Sequence, residues 1–505
     1  MSFTLTNAIR WWVREHPTRV ALDFDGEELS YAGLYEWAAR VAAALIADGV
    51  KPGDRVSIVA ANTLDYAVLI VAIMLAGGIH APLSFRSSAR ELRQSLDTVT
   101  PTLLFTDADR EATAREALGE TPATALRSLA AIRPLRQAAA PLPGLLHHPQ
   151  PDEPLFIIGT SGSTGTPKGV VYTHRSVMTY AAEFAIMEPR TGNGGSILAA
   201  GPYSSTSGTL LLMQFLSVGN TIYTQSRFTP DIALGLLQEK KITTFLASTI
   251  FFERIAALPE FARADLSTIA FAQISGARVN PAILQAYREK GVVLRPAYGC
   301  TEAGGAWAAR DETAFTEPEK CGPGAMFSEF AILGEDGGLA PAGTPGEILI
   351  RSASLSQGYW NNPQATAETF RDGWLHTGDK GLLDERGNLT FIDRIKDIII
   401  SGGLNISAME VESVIAEVPG VAEVVVLSAR DDQFGETPLA VVHGDAGVTV
   451  EAIIAHCNAH LANYKVPRYV AIEDEPLPRM ASGKISKILL REKYRDAPDF
   501  LAKVR

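Results

Sequence analysis

Between residues 29 and 84 the spacing of apolar side chains switches repeatedly between two periods. Stretches with apolar positions three or four apart, as on one side of a helix, alternate with short β-rich runs such as Arg55-Val56-Ser57-Ile58-Val59. Small or turn residues follow each run, and the alternation predicts an α/β architecture. The most apolar run, 67–76, stops at Gly77-Gly78. It falls well short of the roughly 20 residues needed to cross a bilayer, so it predicts a buried helix and no transmembrane segment. The stretch 1–19 is amphipathic but lacks an apolar signal core and a small-residue cleavage site, so no export signal is expected.

A second α/β region follows, with strands predicted at 155–158, 221–223, 244–246, 269–274 and 292–296 and helices at 232–240 and 281–290. The Ala- and Pro-rich stretch 138–154, which holds His147 and His148, reads as a surface connection between two lobes. Over 337–391 short strands are separated by Gly, Pro and Asp, the pattern of a small β-rich subdomain. Beyond Asp393 a helix at 409–418, a turn at Pro419-Gly420 and a strand at 424–427 predict a small α+β terminal domain. No internal repeat or low-complexity tract interrupts this order.

Composition narrows the function. With 505 residues, 46% of them hydrophobic, the chain is too long for one ordinary core. A net charge of -12 gives no broad attraction to phosphate backbones or anionic lipid, which argues against a nucleic-acid partner. Cys300, Cys321 and Cys457 are the only cysteines. They are far apart and without metal-ligand spacing, so a reduced, cytoplasmic setting is expected.

Four segments carry chemistry. Thr160-Ser161-Gly162-Ser163-Thr164-Gly165-Thr166-Pro167-Lys168-Gly169 follows an apolar strand. Its glycines let backbone N–H groups turn inward, its hydroxyls add donors and Lys168 adds charge, a combination suited to a polyphosphate. Pro167 and Gly169 flank Lys168, so it is not a Walker loop. A flexible linker is the plain alternative, but linkers rarely sit between a buried strand and an apolar helix. The second segment, Tyr298-Gly299-Cys300-Thr301-Glu302, follows a strand, where ligands of α/β lobes gather, and makes Thr301 and Glu302 candidates for holding Mg²⁺ beside a nucleotide. The third comprises Trp374-Leu375-His376-Thr377-Gly378-Asp379, Asp393-Arg394-Ile395-Lys396-Asp397 and Ser401-Gly402-Gly403. The fourth, Ser482-Gly483-Lys484, is a loop that offers an ammonium group. Taken singly, the last two would pass for ordinary surface turns.

In this order and at these separations, the four segments resemble the adenylate-forming superfamily, which includes acyl- and aryl-CoA synthetases, peptide-synthetase adenylation domains and firefly-type luciferases. The resemblance covers nearly the whole chain. It implies an amino-terminal domain over 1–393 with three subdomains, and a mobile carboxy-terminal domain over 394–505 hinged at Lys396. It implies ATP and Mg²⁺ as cofactors, with Thr301 and Glu302 at the metal and Thr160 to Gly165 with Lys168 on the pyrophosphate. Ser275, Gly276, Ala277, Tyr298 and Gly299 would border the nucleotide, Asp379 and Arg394 would bind the ribose, and Lys484 would catalyse acyl-adenylate formation. Ser401, Gly402 and Gly403 would come forward in the second half-reaction, bordering a tunnel for a pantetheine arm.

The wording around 396–403 is closer to CoA ligases than to peptide-synthetase domains, so CoA is the expected acceptor, with a free carrier protein as the alternative. A nucleotide-binding module that has lost catalysis is a weaker alternative, because Lys484, Glu302, Asp379 and Arg394 are all in place. Luciferase-type oxidation is more remote still. The acyl pocket is expected from Tyr203, Ser204, Ser205, Ser207, Gly208, Thr249, Phe252 and Gly304. These stretches hold small residues and no Lys, Arg, Asp or Glu, which points to a bulky apolar acid, medium-chain, branched or aryl, rather than acetate or an amino acid. Three departures weaken transfer of a substrate from relatives. Ser205 stands where many have His, Ala247-Ser248-Thr249 replaces a Val-Pro-Thr-like segment, and Leu404 follows the glycine pair. Finally, His456 and His460 have zinc-compatible spacing on one helical face but no third ligand in the sequence nearby, and a solvated face is expected. Cys300 is expected to pack rather than react.

Overall fold

The computed structural model describes residues 2–119, 123–138, 146–160, 168–192, 194–275, 281–305, 307–480 and 484–505. The chain forms two compact units. One holds Met1–Phe330, Leu349–His376 and Arg386–Leu389; the other holds Ala331–Ile348, Thr377–Glu385 and Thr390–Arg505.

The first unit is built on two sheets. A six-stranded sheet runs in the order Ala125–Ser128, Leu103–Thr106, Arg55–Val59, Ile79–Pro82, Pro154–Thr160, Lys168–Thr173. Its first five strands are parallel and the last pairing is antiparallel. An eight-stranded sheet runs Trp307–Ala308, Leu294–Tyr298, Phe271–Ser275, Thr244–Ser248, Ser196–Ala199, Thr221–Thr224, Val20–Phe24, Glu27–Ser30, and only its two outermost pairings are antiparallel. Parallel strands need helices as crossovers, which is why the sequence alternates as it does. The apolar run near residue 70 is helix Leu64–Leu75, capped by the Thr63 side chain, and every residue in it is buried. Among the described residues no helix is long and apolar enough to cross a membrane.

Several strands of these sheets, Ser196–Ala199 and Lys168–Thr173 among them, have no counterpart in the predicted elements. Ser196–Ala199 is only four residues long. Lys168–Thr173 follows the Gly/Ser segment directly and pairs back on Pro154–Thr160. Pro154–Thr160 and Lys168–Thr173 are therefore the two arms of a hairpin. The strands Ser328–Leu333, Gly346–Ser352, Phe370–Arg371, Trp374–Leu383 and Leu389–Arg394 make up the β-rich stretch.

In the second unit, strands Leu404–Ser407, Ile398–Ser401, Gly435–Gly444 and Val421–Asp431 lie side by side, and Tyr469–Glu473 adds in parallel to Gly435–Gly444. Side chains alternate between its faces. Val426, Ala440 and Val442 join Val411, Ile415 and Ile453 in one core, whereas Val425, Leu427, Leu439 and Val441 join Leu490 and Tyr494 in another.

Candidate active site

In the eight-stranded sheet, the parallel strands Ser196–Ala199, Thr244–Ser248, Phe271–Ser275 and Leu294–Tyr298 are neighbours. Ser248 pairs with Ser275, and Ile274 with Pro296. The segments leaving their carboxyl ends therefore emerge together, and they contain the 202–208 stretch, Thr249, Ser275 and the Tyr298–Glu302 motif. Ligands of parallel α/β sheets collect at this edge.

Thr301 and Glu302 form a single 3₁₀ turn, Thr301–Ala303, closed by Gly304 at a φ of +75°. Four contacts hold it. The Tyr172 hydroxyl donates to the Thr301 carbonyl. The Thr206 and Thr301 hydroxyls lie 3.3 Å apart. The Ser356 N–H donates to the Glu302 carbonyl at 3.0 Å. The Tyr359 hydroxyl donates to Glu302 Oε1 at 2.7 Å. Burial first, and then the negative Glu302, push the Tyr359 phenol up, so it stays a proton donor. The Lys168 ammonium lies 4.8 Å from the centre of the Tyr359 ring, within cation–π range. Tyr359 thus links the end of the Gly/Ser hairpin to Glu302. Nothing in the local pattern around Gly358-Tyr359-Trp360 marks it, because its partners are distant in sequence.

Thr160 pairs with Lys168 at the hairpin's end, and its hydroxyl donates to the Lys168 carbonyl at 3.4 Å. Ser161, Gly162, Ser163, Thr164 and Gly165 lie outside the described residues, as do Gly276 and Ala277. Tyr298 ends its strand, its ring 6.0 Å from that of Phe330, and Gly299 follows. Cys300, half-buried, directly precedes the turn.

The residues expected along the acyl pocket divide into two groups. Ser205 caps helix Thr206–Ser217: its hydroxyl donates to the Pro202 carbonyl at 2.8 Å, accepts from the Gly208 N–H and lies 3.1 Å from the Ser207 hydroxyl. Ser204 stands just before this cap. By contrast, Tyr203 and Phe252 are core rings. Tyr203 packs edge-on to Tyr66, and Phe252 packs on Phe245 and Tyr287. Thr249, which opens helix Thr249–Ala256, is also buried. The glycines do not open empty space either. A Cβ on Gly208 would stand 1.9 Å from the Pro202 carbonyl oxygen, one on Gly304 1.9 Å from that of Ser354, and one on Gly305 2.3 Å from the Tyr180 ring. Close packing against backbone carbonyls and the Tyr180 ring accounts for these glycines, and their smallness is no measure of room for an acyl chain.

In the second unit, Arg394 Nε lies 3.5 Å from Asp379 Oδ1. Asp379 is buried while Arg394 reaches solvent. The Met480 N–H donates to the Lys484 carbonyl at 2.7 Å. Although the Lys484 side chain reaches solvent, partial dehydration lowers its pKa; Arg394 lowers it further and Asp379 opposes the shift. Lys396 is lowered in the same way, by dehydration first and by Arg394 next. Its neighbour Asp397 accepts from Arg491 at 2.7 Å, and Asp393 accepts from the Ser407 hydroxyl at 2.6 Å and the Met409 N–H at 3.1 Å. Gly402 and Gly403 form the two-residue turn between Ser401 and Leu404, with φ of +58° and +83°. Positive φ at both turn positions is the primed-hairpin geometry, so a hairpin accounts for the glycine pair.

His456 and His460 stack at 4.2 Å on helix Val450–His460, and His456 lies 3.5 Å from Glu417. Among the described residues no group of three or more His, Cys, Asp or Glu could hold a metal.

The family model for AMP-binding enzymes matches residues 9–360, and that for the AMP-binding enzyme C-terminal domain matches 410–484. The chain belongs to the AMP-binding enzyme family. It is similar to a feruloyl-CoA synthase of Amycolatopsis sp, 32% identical over 95% of this chain and 97% of that one. A long-chain-fatty-acid–CoA ligase of Mycobacterium tuberculosis is 32% identical over 92% of this chain and 93% of its own. Among solved structures, o-succinylbenzoate CoA synthetase from Bacillus subtilis, in complex with its acyl-adenylate intermediate, matches with a TM-score of 0.86 at 28% identity. That match covers 96% of this chain and 98% of the other. This family member is thus an enzyme, of the ligase type that these relatives represent.

Proposed function

We propose that this enzyme activates a carboxylic acid with ATP and passes the acyl group to CoA. In the first half-reaction a carboxylate oxygen attacks the α-phosphorus, the bond to the bridging oxygen breaks, and pyrophosphate leaves with the electron pair. In the second, the thiol sulfur attacks the acyl carbonyl, AMP leaves, and the thiol proton is lost. The first step needs no general base, because the acid is already ionised at neutral pH. Its difficulty is electrostatic, since a carboxylate must approach a triphosphate, and positioned charge is what lowers such barriers.

The Thr301–Glu302 turn, braced by Tyr359, Tyr172 and Thr206 at the carboxyl edge of parallel strands, supports this function most strongly. It offers one carboxylate and one hydroxyl, which suits a Mg²⁺ that draws its remaining ligands from phosphates and water. When bound, Mg²⁺ would neutralise charge on the phosphates. Lys168, with the hydroxyls and N–H groups of 160–165, would hold the leaving pyrophosphate. Asp379 and Arg394 would take the ribose hydroxyls, and Lys396 would serve as the hinge. Lys484 would neutralise charge in the first half-reaction, and Ser401 to Gly403 would serve the second.

For the acid, we favour a bulky, largely apolar substrate, medium-chain, branched or aryl. The support is the absence of any Lys, Arg, Asp or Glu in 203–208, 249–252, 275–277, 298–299 and 304–305, since a charged substituent would be buried there without a partner. The relatives named for feruloyl and long-chain fatty acyl groups point the same way. The test is pyrophosphate release over a panel of carboxylic acids, followed by thioester formation with CoA and with phosphopantetheinylated carrier proteins. CoA-dependent AMP formation with at least one apolar acid is the expected result. Thioester on the carrier alone would replace CoA as the acceptor, and no pyrophosphate release with any acid would refute the reaction.

A further inference from the structure

Helix His174–Met187 carries Glu183, a carboxylate only 2% exposed and outside every candidate motif. Both of its oxygens accept hydrogen bonds. Oε2 takes the Trp307 indole N–H at 3.1 Å and the Ser328 hydroxyl at 3.0 Å, and Oε1 takes the Phe327 N–H. A carboxylate has no hydrogen to give, so Ser328 must be the donor. Its lone pair is then open to the Ser352 hydroxyl, 2.7 Å away. Ser352 in turn accepts the Ser354 N–H at 3.0 Å and lies 2.8 Å from the Ser354 hydroxyl. One buried acceptor thereby orders a line of hydroxyls from Glu183 through Ser328 and Ser352 to Ser354.

That line ends on the candidate metal turn. The Ser354 carbonyl closes over Gly304, and two residues on, the Ser356 N–H donates to the Glu302 carbonyl. Trp307, which follows the turn, is fixed by Glu183 directly, and Tyr180, one helical turn before Glu183, fills the space beside Gly305. The helix therefore reaches the 301–307 segment both directly and through the serines.

We propose that Glu183 is a positioning residue for the first half-reaction, fixing the turn that presents Thr301 and Glu302. This rests on the function proposed above. Glu183→Gln keeps the volume, but whichever way the amide turns, its NH₂ faces the Trp307 N–H or the Phe327 N–H. Displacement of the turn by a fraction of an ångström should slow pyrophosphate release about ten- to a hundredfold. Transfer to CoA from supplied acyl-adenylate should stay within about twofold, because that step does not use the turn.

Ser352→Ala breaks the line while leaving the carboxylate's own contacts intact, and should give the same selective loss, smaller in size. A readout independent of the acid is the rise in melting temperature caused by Mg·ATP over that caused by ATP with EDTA. It should be large in the wild type and reduced in both variants. Wild-type release rates and wild-type thermal shifts in both variants would overturn the proposal, as would an equal loss in both half-reactions. Should Glu183→Gln fail to fold, Ser352→Ala decides by the same criteria. If the wild type releases no pyrophosphate with any acid, the proposed reaction fails, and the Mg·ATP shift still decides the role of Glu183.

Discussion

Replacing Gly304 with alanine probes how rigidly the Thr301–Glu302 turn is held. Two costs combine at this position. Gly304 has a φ of +75°, and an alanine in that region costs about 1–2 kcal/mol. The added Cβ would stand 1.9 Å from the Ser354 carbonyl oxygen, against an ordinary contact of about 3.5 Å. Backbone on one side or the other must therefore give way by more than about 1 Å, and overpacking of this kind costs about 1–3 kcal/mol more. The expected destabilisation is about 2–5 kcal/mol, seen as a lower melting temperature. The 352–356 segment and the turn move apart, and misplacement by about 1 Å can cost about a hundredfold in rate. Pyrophosphate release should fall by that order. Gly291→Ala is the control, because its φ of +77° is as unfavourable but nothing lies within 4 Å of its Cβ. If Gly304→Ala were no less stable than Gly291→Ala and released pyrophosphate at the wild-type rate, the close packing inferred around the turn would be refuted.

Other substitutions examine the remaining parts. Tyr359→Phe removes a hydrogen bond to a carboxylate, worth about 1.5–3 kcal/mol, and should raise the Mg²⁺ concentration for half-maximal pyrophosphate release while cutting the rate about tenfold; an unchanged Mg²⁺ titration would count against it. Lys484→Ala should nearly abolish adenylation and leave transfer from a supplied acyl-adenylate largely intact, whereas equal loss in both steps would contradict the assigned role. Lys484 acts while protonated and its pKa is lowered. Adenylation should therefore decline on the alkaline side at a pH below the usual lysine value, and that limb should be missing from the transfer step. Ser205→Ala deletes a helix cap and should cost about 1 kcal/mol in thermal or denaturant unfolding; a Ser205 variant as stable as the wild type would mean the cap contributes nothing.

The amino-acid sequence determined the α/β class, the buried helix at Leu64–Leu75 and part of the sheet strands, because hydrophobic period is a local property. It also exposed the four motifs, since glycines, hydroxyls and a lysine near a strand end declare their chemistry within a few residues. It could not show which residues hold those motifs. Tyr172, Tyr359 and Ser356 bond to the Thr301–Glu302 turn from elements far away in sequence, and those hydrogen bonds exist only once the sheet has set its strand order. Nor could it separate a glycine kept small for a ligand from one kept small for its own backbone. At Gly208 and Gly304 the answer came from a neighbouring backbone carbonyl lying where a Cβ would go. Tyr203 and Phe252, both expected along the acyl pocket, have rings buried against other aromatic rings, which residue type alone does not reveal. Residue type states what a side chain can do chemically; tertiary structure alone decides which groups it meets and whether there is space beside it.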